Sequence, residues 1–122
     1  MSDALPVLVV DAANVVGSRP DGWWRDRHSA AQRLRDALEP LADDHDVILV
    51  VEGQASRVAS IDRVEVIAAP RSGDDEIVRI AAALGARGRH VIVVTADREL
   101  RERLTAIGSE VAGPRTLPYT GK

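Results

Sequence analysis

The chain has no cysteine and no phenylalanine, and its single lysine is the last residue, Lys122. Without thiols, disulfides and thiolate-held metals are excluded. Aromatic residues are confined to Trp23, Trp24 and Tyr119, which argues against a base-stacking platform. No apolar run approaches the ~20 residues of a membrane span, and no charged leader precedes an apolar block. Neither a membrane partner nor export is expected, and the expected location is cytoplasmic. A net charge of −3 excludes indiscriminate coating of nucleic acid by a uniformly basic surface. His28, His45 and His90 are scattered without metal-ligand spacing and read as structural or surface residues.

What the chain does have is a recurrence of apolar runs: VLVV (7–10), VILVV (47–51), VEVIA (64–68), VIVV (91–94) and a short EVA (110–112). The first, second and fourth are continuous, the pattern of strands covered on both faces. Helical stripes lie between them. Leu34, Leu38 and Leu41 form one, which Pro40 kinks or ends. Ile77, Ile80, Ala81 and Leu84 form a second, closed by Gly85 or Gly88, and Leu100, Leu104 and Ile107 a third, stopped by Gly108. The segment from Gly53 to Arg63 reads as a loop or a short turn of helix. The alternation predicts one domain over residues 1–122 of the α/β class, a three-layer, doubly wound, mainly parallel five-stranded sheet with an irregular tail from about residue 114.

A parallel sheet delivers the carboxyl ends of its strands to one edge, where ligands bind. The first strand ends on Asp11, with Asn14 three residues later; the second is followed by Glu52, the third by Asp74 and Asp75 in RSGDDEI, and the fourth by Asp97 in TADREL. Asp74 precedes Ile77 by three, and Asp97 stands in the same relation to Leu100, so both continue the stripes that face the sheet. Carboxylates crowded without cations repel one another, and a divalent ion with a taste for hard oxygen ligands, Mg²⁺ or Mn²⁺, resolves the conflict. Structural roles compete with this reading. Asp97 suits an N-cap, Asp75 a capping box with Ser72, and Glu52 the start of a turn. Asp11 is hardest to explain away, because a carboxylate closing a buried strand is costly without a partner.

DAANVVG, an acidic pair opening a helix, and TAD after a late strand together resemble the NYN domains of the PIN-like nuclease superfamily, closest to the YacP-like branch, whose first motif has the form D-G-Y-N-V-I-G. The resemblance runs from Val7 to about Pro114. It implies metal-binding acids at Asp11, Asp74 and Asp97, with Asn14 as the motif's asparagine. Asp75 matches the second acid of a PIN-type pair and Glu99 the outer acid of the T-x-D-x-D ending. The implied activity is Mg²⁺- or Mn²⁺-dependent hydrolysis of RNA phosphodiesters. The chain departs from the pattern at Glu52, where NYN domains usually carry aspartate, and at Ala12 and Ala13, which replace glycine and tyrosine.

Arginine is segregated in part. Arg19, Arg25 and Arg27 follow the first strand, Arg57 the second, Arg71 the third, Arg98 the fourth and Arg115 the fifth, whereas Asp43, Asp44 and Asp46 precede the second. Arg87 and Arg89 lie on the far edge too. Arg19, Arg25, Arg71 and Arg98 are the expected contacts to RNA phosphate. Trp23 and Trp24 offer rings that could stack on a base, but read first as core or dimer contacts. The expected function is a metal-dependent endoribonuclease that acts alone, as a homodimer or in a larger RNA-processing assembly. The alternative is a non-catalytic RNA- or protein-binding module with a degenerate metal site.

Overall fold

Valine-rich segments whose side chains must all be hidden become the strands of one sheet: β1 (Val7–Asp11), β2 (Asp46–Val51), β3 (Val64–Ala68), β4 (Val91–Val94) and β5 (Glu110–Ala112). The computed structural model describes residues 5–18 and 26–118. All four strand pairings are parallel, in the order β3-β2-β1-β4-β5. The sheet therefore grows outward from β1 in both directions, and its switch point lies between β1 and β4.

The strands are covered on both faces. On one side Leu8, Val10, Leu49 and Val51 pack against Val15 and Val16 of helix α1 (Ala12–Gly17) and Ala30, Leu34 and Leu38 of α2 (Arg27–Leu38). On the other, Val7, Val9, Val50 and Val93 meet Ile77 and Ile80 of α3 (Gly73–Ala86) and Leu100 and Leu104 of α4 (Arg98–Ala106). This is the expected three-layer α/β architecture, with a sheet parallel throughout.

Local chemistry sets the helix ends. The α2 stripe stops at Leu38, and Pro40 opens a tighter 3-10 segment, Glu39–Asp43, that leaves Leu41 only half-buried. Helix α4 ends one residue before Ile107, which is 42% exposed rather than in the core. The segment after Glu52 is a 3-10 turn, Gly53–Arg57, and the tail begins with another at Pro114–Thr116 that buries Pro114 and Leu117. Helix α1, which begins directly where β1 ends, has no stripe long enough to announce it. Among the described residues no helix is long and apolar enough to cross a membrane.

Candidate active site

Register aligns the carboxyl ends of the three central strands. Asp11 pairs with Val50 of β2, and Val10 with Val94 of β4, which puts Thr95 level with Asp11 across the switch point. Asp11 and Thr95 are the buried polar side chains among the described residues, 5% and 0% exposed, and they are bonded to each other: the Thr95 hydroxyl donates to Asp11 Oδ2 at 2.9 Å. The other oxygen of Asp11 caps α1, accepting from the Asn14 N–H at 3.4 Å. Thr95 Oγ1 in turn accepts from the Asp97 N–H at 3.2 Å.

Asn14 completes the seam. Its Oδ1 accepts from the Ala96 N–H at 2.8 Å, tying the start of α1 to the turn after β4. The asparagine thus holds the two sides of the switch point together, and its amide nitrogen remains for a ligand or a water.

Asp11, Asn14, Glu52, Asp74 and Asp97 line one open cleft of about 270 Å³, together with Ala13. Each acid except Asp74 has a structural tether. Glu52 Oε2 accepts from the Gly73 N–H at 2.5 Å, a carboxylate placed on the positive end of α3. Gly73 permits this approach, since a Cβ there would collide with that same oxygen. Asp97 Oδ1 caps α4 through the Leu100 N–H at 3.0 Å. Asp74, one turn before Ile77, is half-buried over the cleft.

The electrostatics are those of acids held together against their preference. Burial pushes the Asp11 carboxyl up to about 6; its two hydrogen bonds oppose this, while the charges of Asp74 and Glu52 add to it. Asp74 is also raised, first by burial and then by Asp97 and Glu52, with Arg103 pulling the other way. Among the described residues no group of three or more acidic or histidine side chains stands ready to cage a metal ion. The donors are nonetheless all hard oxygens, and Mg²⁺ characteristically binds one or two carboxylates and keeps several waters. Asp11 and Asp74, the two cleft acids whose carboxyls are pushed up, are the candidates to hold such an ion, and Asp97 and Glu52 line the same cleft.

Other expected residues lie elsewhere. Asp75 is exposed and paired with Arg103 of α4 at 3.0 Å, and its N–H, not its carboxylate, meets the Ser72 cap. Glu99 is exposed in the first turn of α4 and does not line the cleft. Arg71 and Arg98 are exposed with no partner among the described residues, but Arg98 lines a shallow hollow with Ala96 and Arg101 instead of the acidic cleft. Arg19, Arg25, Trp23 and Trp24 lie outside the described residues. Thr95 and Arg103 are not singled out by the sequence pattern. A threonine directly after a fully buried strand was the available signal for the first.

Thr95 yields a direct prediction. Thr95→Val removes a donor from Asp11 and an acceptor from the Asp97 N–H at a fully buried position, so it should cost about 1–3 kcal/mol. It should also push the Asp11 carboxyl higher still, because one of the bonds holding it down is lost. Denaturant melts and carboxyl titration by NMR measure the two effects separately.

An all-parallel sheet of this order, covered by helices on both faces and with acids at its switch point, is a doubly wound three-layer α/β domain that matches a PIN-like fold. Among solved structures the chain is similar to Rae1 (YacP) from Bacillus subtilis, with a TM-score of 0.78 and 22% identity over 91% of this chain and 70% of that one. A mutant of the same protein gives 0.70 at 22% identity, over 91% and 71%. The likeness bears out, at the level of fold, the YacP-like NYN resemblance carried by DAANVVG and TAD. No protein-family model matches the chain, and no curated protein does.

Proposed function

We propose that the chain is a metal-dependent endoribonuclease that hydrolyses RNA phosphodiesters in the acidic cleft. The observation that carries this reading is the burial of Asp11 at the switch point, with its carboxyl raised to about 6 and facing further acids. The cap and the Thr95 bond offset only part of the cost of burying this carboxylate beside other acids, whereas a bound hard cation would relieve it. Asp11 and Asp74 would hold Mg²⁺ or Mn²⁺, supported by Asp97 and Glu52; Asp75 and Glu99 lie further out. A bound ion supplies Lewis acidity and an activated water. The chain's own residues do the positioning. Thr95 fixes the Asp11 carboxylate, Asn14 locks the two strand ends together, and the Glu52 contact to Gly73 sets the start of α3 and therefore Asp74. Exposed arginines after the strands, Arg57, Arg71, Arg98 and Arg115, supply positive charge for a phosphate backbone on an otherwise acidic protein. RNA is the proposed partner, and a second copy or a larger assembly is compatible with the same site.

The lack of a ready-made cage among the described residues leaves one second reading, a module that binds RNA or protein through this edge without cutting. Two measurements separate them. Millimolar Mn²⁺ should raise the melting temperature, about 2.7 kcal/mol of stabilisation being expected at 100 times the dissociation constant. Single-stranded RNA should be cleaved with Mn²⁺, and Asp74→Ala should abolish both responses while leaving the fold intact. A wild-type protein that neither shifts nor cleaves is the binding module.

A further inference from the structure

Beside the acidic cleft lies a second, more enclosed pocket of about 240 Å³, whose walls include Ala13, Val16, Ala31 and Ala55, with Glu52 and Arg27 as its charged members among the described residues. It shares Ala13 and Glu52 with the cleft, so the two spaces are contiguous. Its lining is mainly apolar and built from small side chains: Ala31 and Ala55 are buried core residues of α2 and the turn after β2. Gly53, at φ 60, bends the chain immediately after Glu52 and forms part of the wall without a side chain.

We infer that this pocket seats a nucleobase of the RNA strand whose phosphate occupies the acidic cleft. The inference rests on the proposed ribonuclease function and adds to it a base-binding subsite. The volume is below the ~300–1,000 Å³ of sites that enclose drug-sized ligands, which suits one planar ring and excludes a whole dinucleotide or cofactor. Methyl walls accept the faces of a base. The wall shared with the cleft holds the carboxylate of Glu52, whose Oε2 is engaged by Gly73 and whose Oε1 has no hydrogen-bond partner among the described residues. A carboxylate oxygen in that position accepts from an exocyclic amine, as acids do from cytosine. Arg27 contributes a guanidinium, a group on which base planes stack in single-stranded RNA complexes. Amine-bearing bases should therefore enter more readily than uracil.

The test uses the full chain, with alanine methyl groups labelled for NMR and titrated with AMP, CMP, GMP, UMP and, as the baseless control, ribose 5-phosphate. The Ala31 and Ala55 methyl signals should move with the nucleotides, least with UMP, and stay put with ribose 5-phosphate. Ala55→Leu fills the pocket without touching the acidic cleft and should abolish the base-dependent response of Ala31. Ala31→Met serves the same purpose, with Ala55 observed, if the first variant does not fold. Methyl signals that ignore all four nucleotides, that move equally with ribose 5-phosphate, or that respond unchanged in the filled variant overturn the inference. RNA cleavage without a methyl response rejects the pocket alone. A base-dependent response without RNA cleavage rejects the ribonuclease reading and leaves the pocket as a nucleotide site.

Discussion

Asp11→Asn should give a protein that is more stable than the wild type at neutral pH in chelator and that has lost its response to Mn²⁺. The wild-type carboxyl is raised from 3.8 to about 6, mainly by burial. A folded-state pKa above the unfolded one means that the native protein binds more protons between these values, so stability falls as pH rises from about 4 to about 6 and stays low above. The shift corresponds to about 3 kcal/mol. Asparagine never ionises, so the penalty disappears. It can still accept one of the two bonds that Asp11 accepts from Thr95 and Asn14, and loss of the other offsets about 1 kcal/mol. The net gain should be about 2 kcal/mol at pH 7.5, or roughly 5–10 °C in melting temperature, shrinking to nothing or reversing below pH 4. Activity should move the opposite way. Changes to residues that only orient a metal's ligands cost about 10–100-fold, so loss of Asp11, if it ligates the ion as proposed, should exceed that. An Asp11→Asn protein that melts below the wild type in EDTA at pH 7.5 would contradict the claim that this residue is held against its own folding preference.

The same residue shows how much of the fold and site is legible in the sequence. A run of branched apolar residues ending on an acid is visible in VLVVD, and the physical cost of that ending pointed to a site. The sheet followed as directly, because side chains hidden on both faces leave no alternation, and the runs 64–68, 91–94 and 110–112 match β3, β4 and β5 residue for residue. Short-range geometry was less legible. Six residues are too few for a helical stripe, so α1 went unseen, and with it the fact that Asp11 is also a helix cap. Helix phase placed Asp74 and Asp97 over the crevice correctly, but phase says nothing about tethers. Whether Glu52 points to a metal or to a helix terminus depends on the 2.5 Å approach to Gly73, twenty-one residues away. Nor does the sequence show that Arg103, a turn and a half into α4, reaches across to Asp75. Strand ends fix where acids gather; cross-element contacts decide which of them face the same space.

Asp97 is where the structural and chemical readings coincide, and a three-variant series separates them. Its Oδ1 caps α4 at Leu100, while its charge raises Asp74 across the cleft. Asp97→Asn preserves the cap, because asparagine and aspartate cap helices about equally well, and removes the charge. Asp97→Ser caps nearly as well with a shorter side chain, and Asp97→Ala abolishes the cap at a cost of about 1 kcal/mol. If the residue is only a cap, the alanine variant alone should suffer, through lower stability, and the Mn²⁺-dependent shift and RNA cleavage should survive in asparagine and serine. If the carboxylate also supports a bound cation, all three lose the metal response and cleavage alike, while only alanine loses stability in chelator. We expect the second pattern. The cap explains why an acid or a small polar residue stands at the start of α4, but not why that residue shares one cleft with Asp11, Glu52 and Asp74, where its charge pushes the Asp74 carboxyl up.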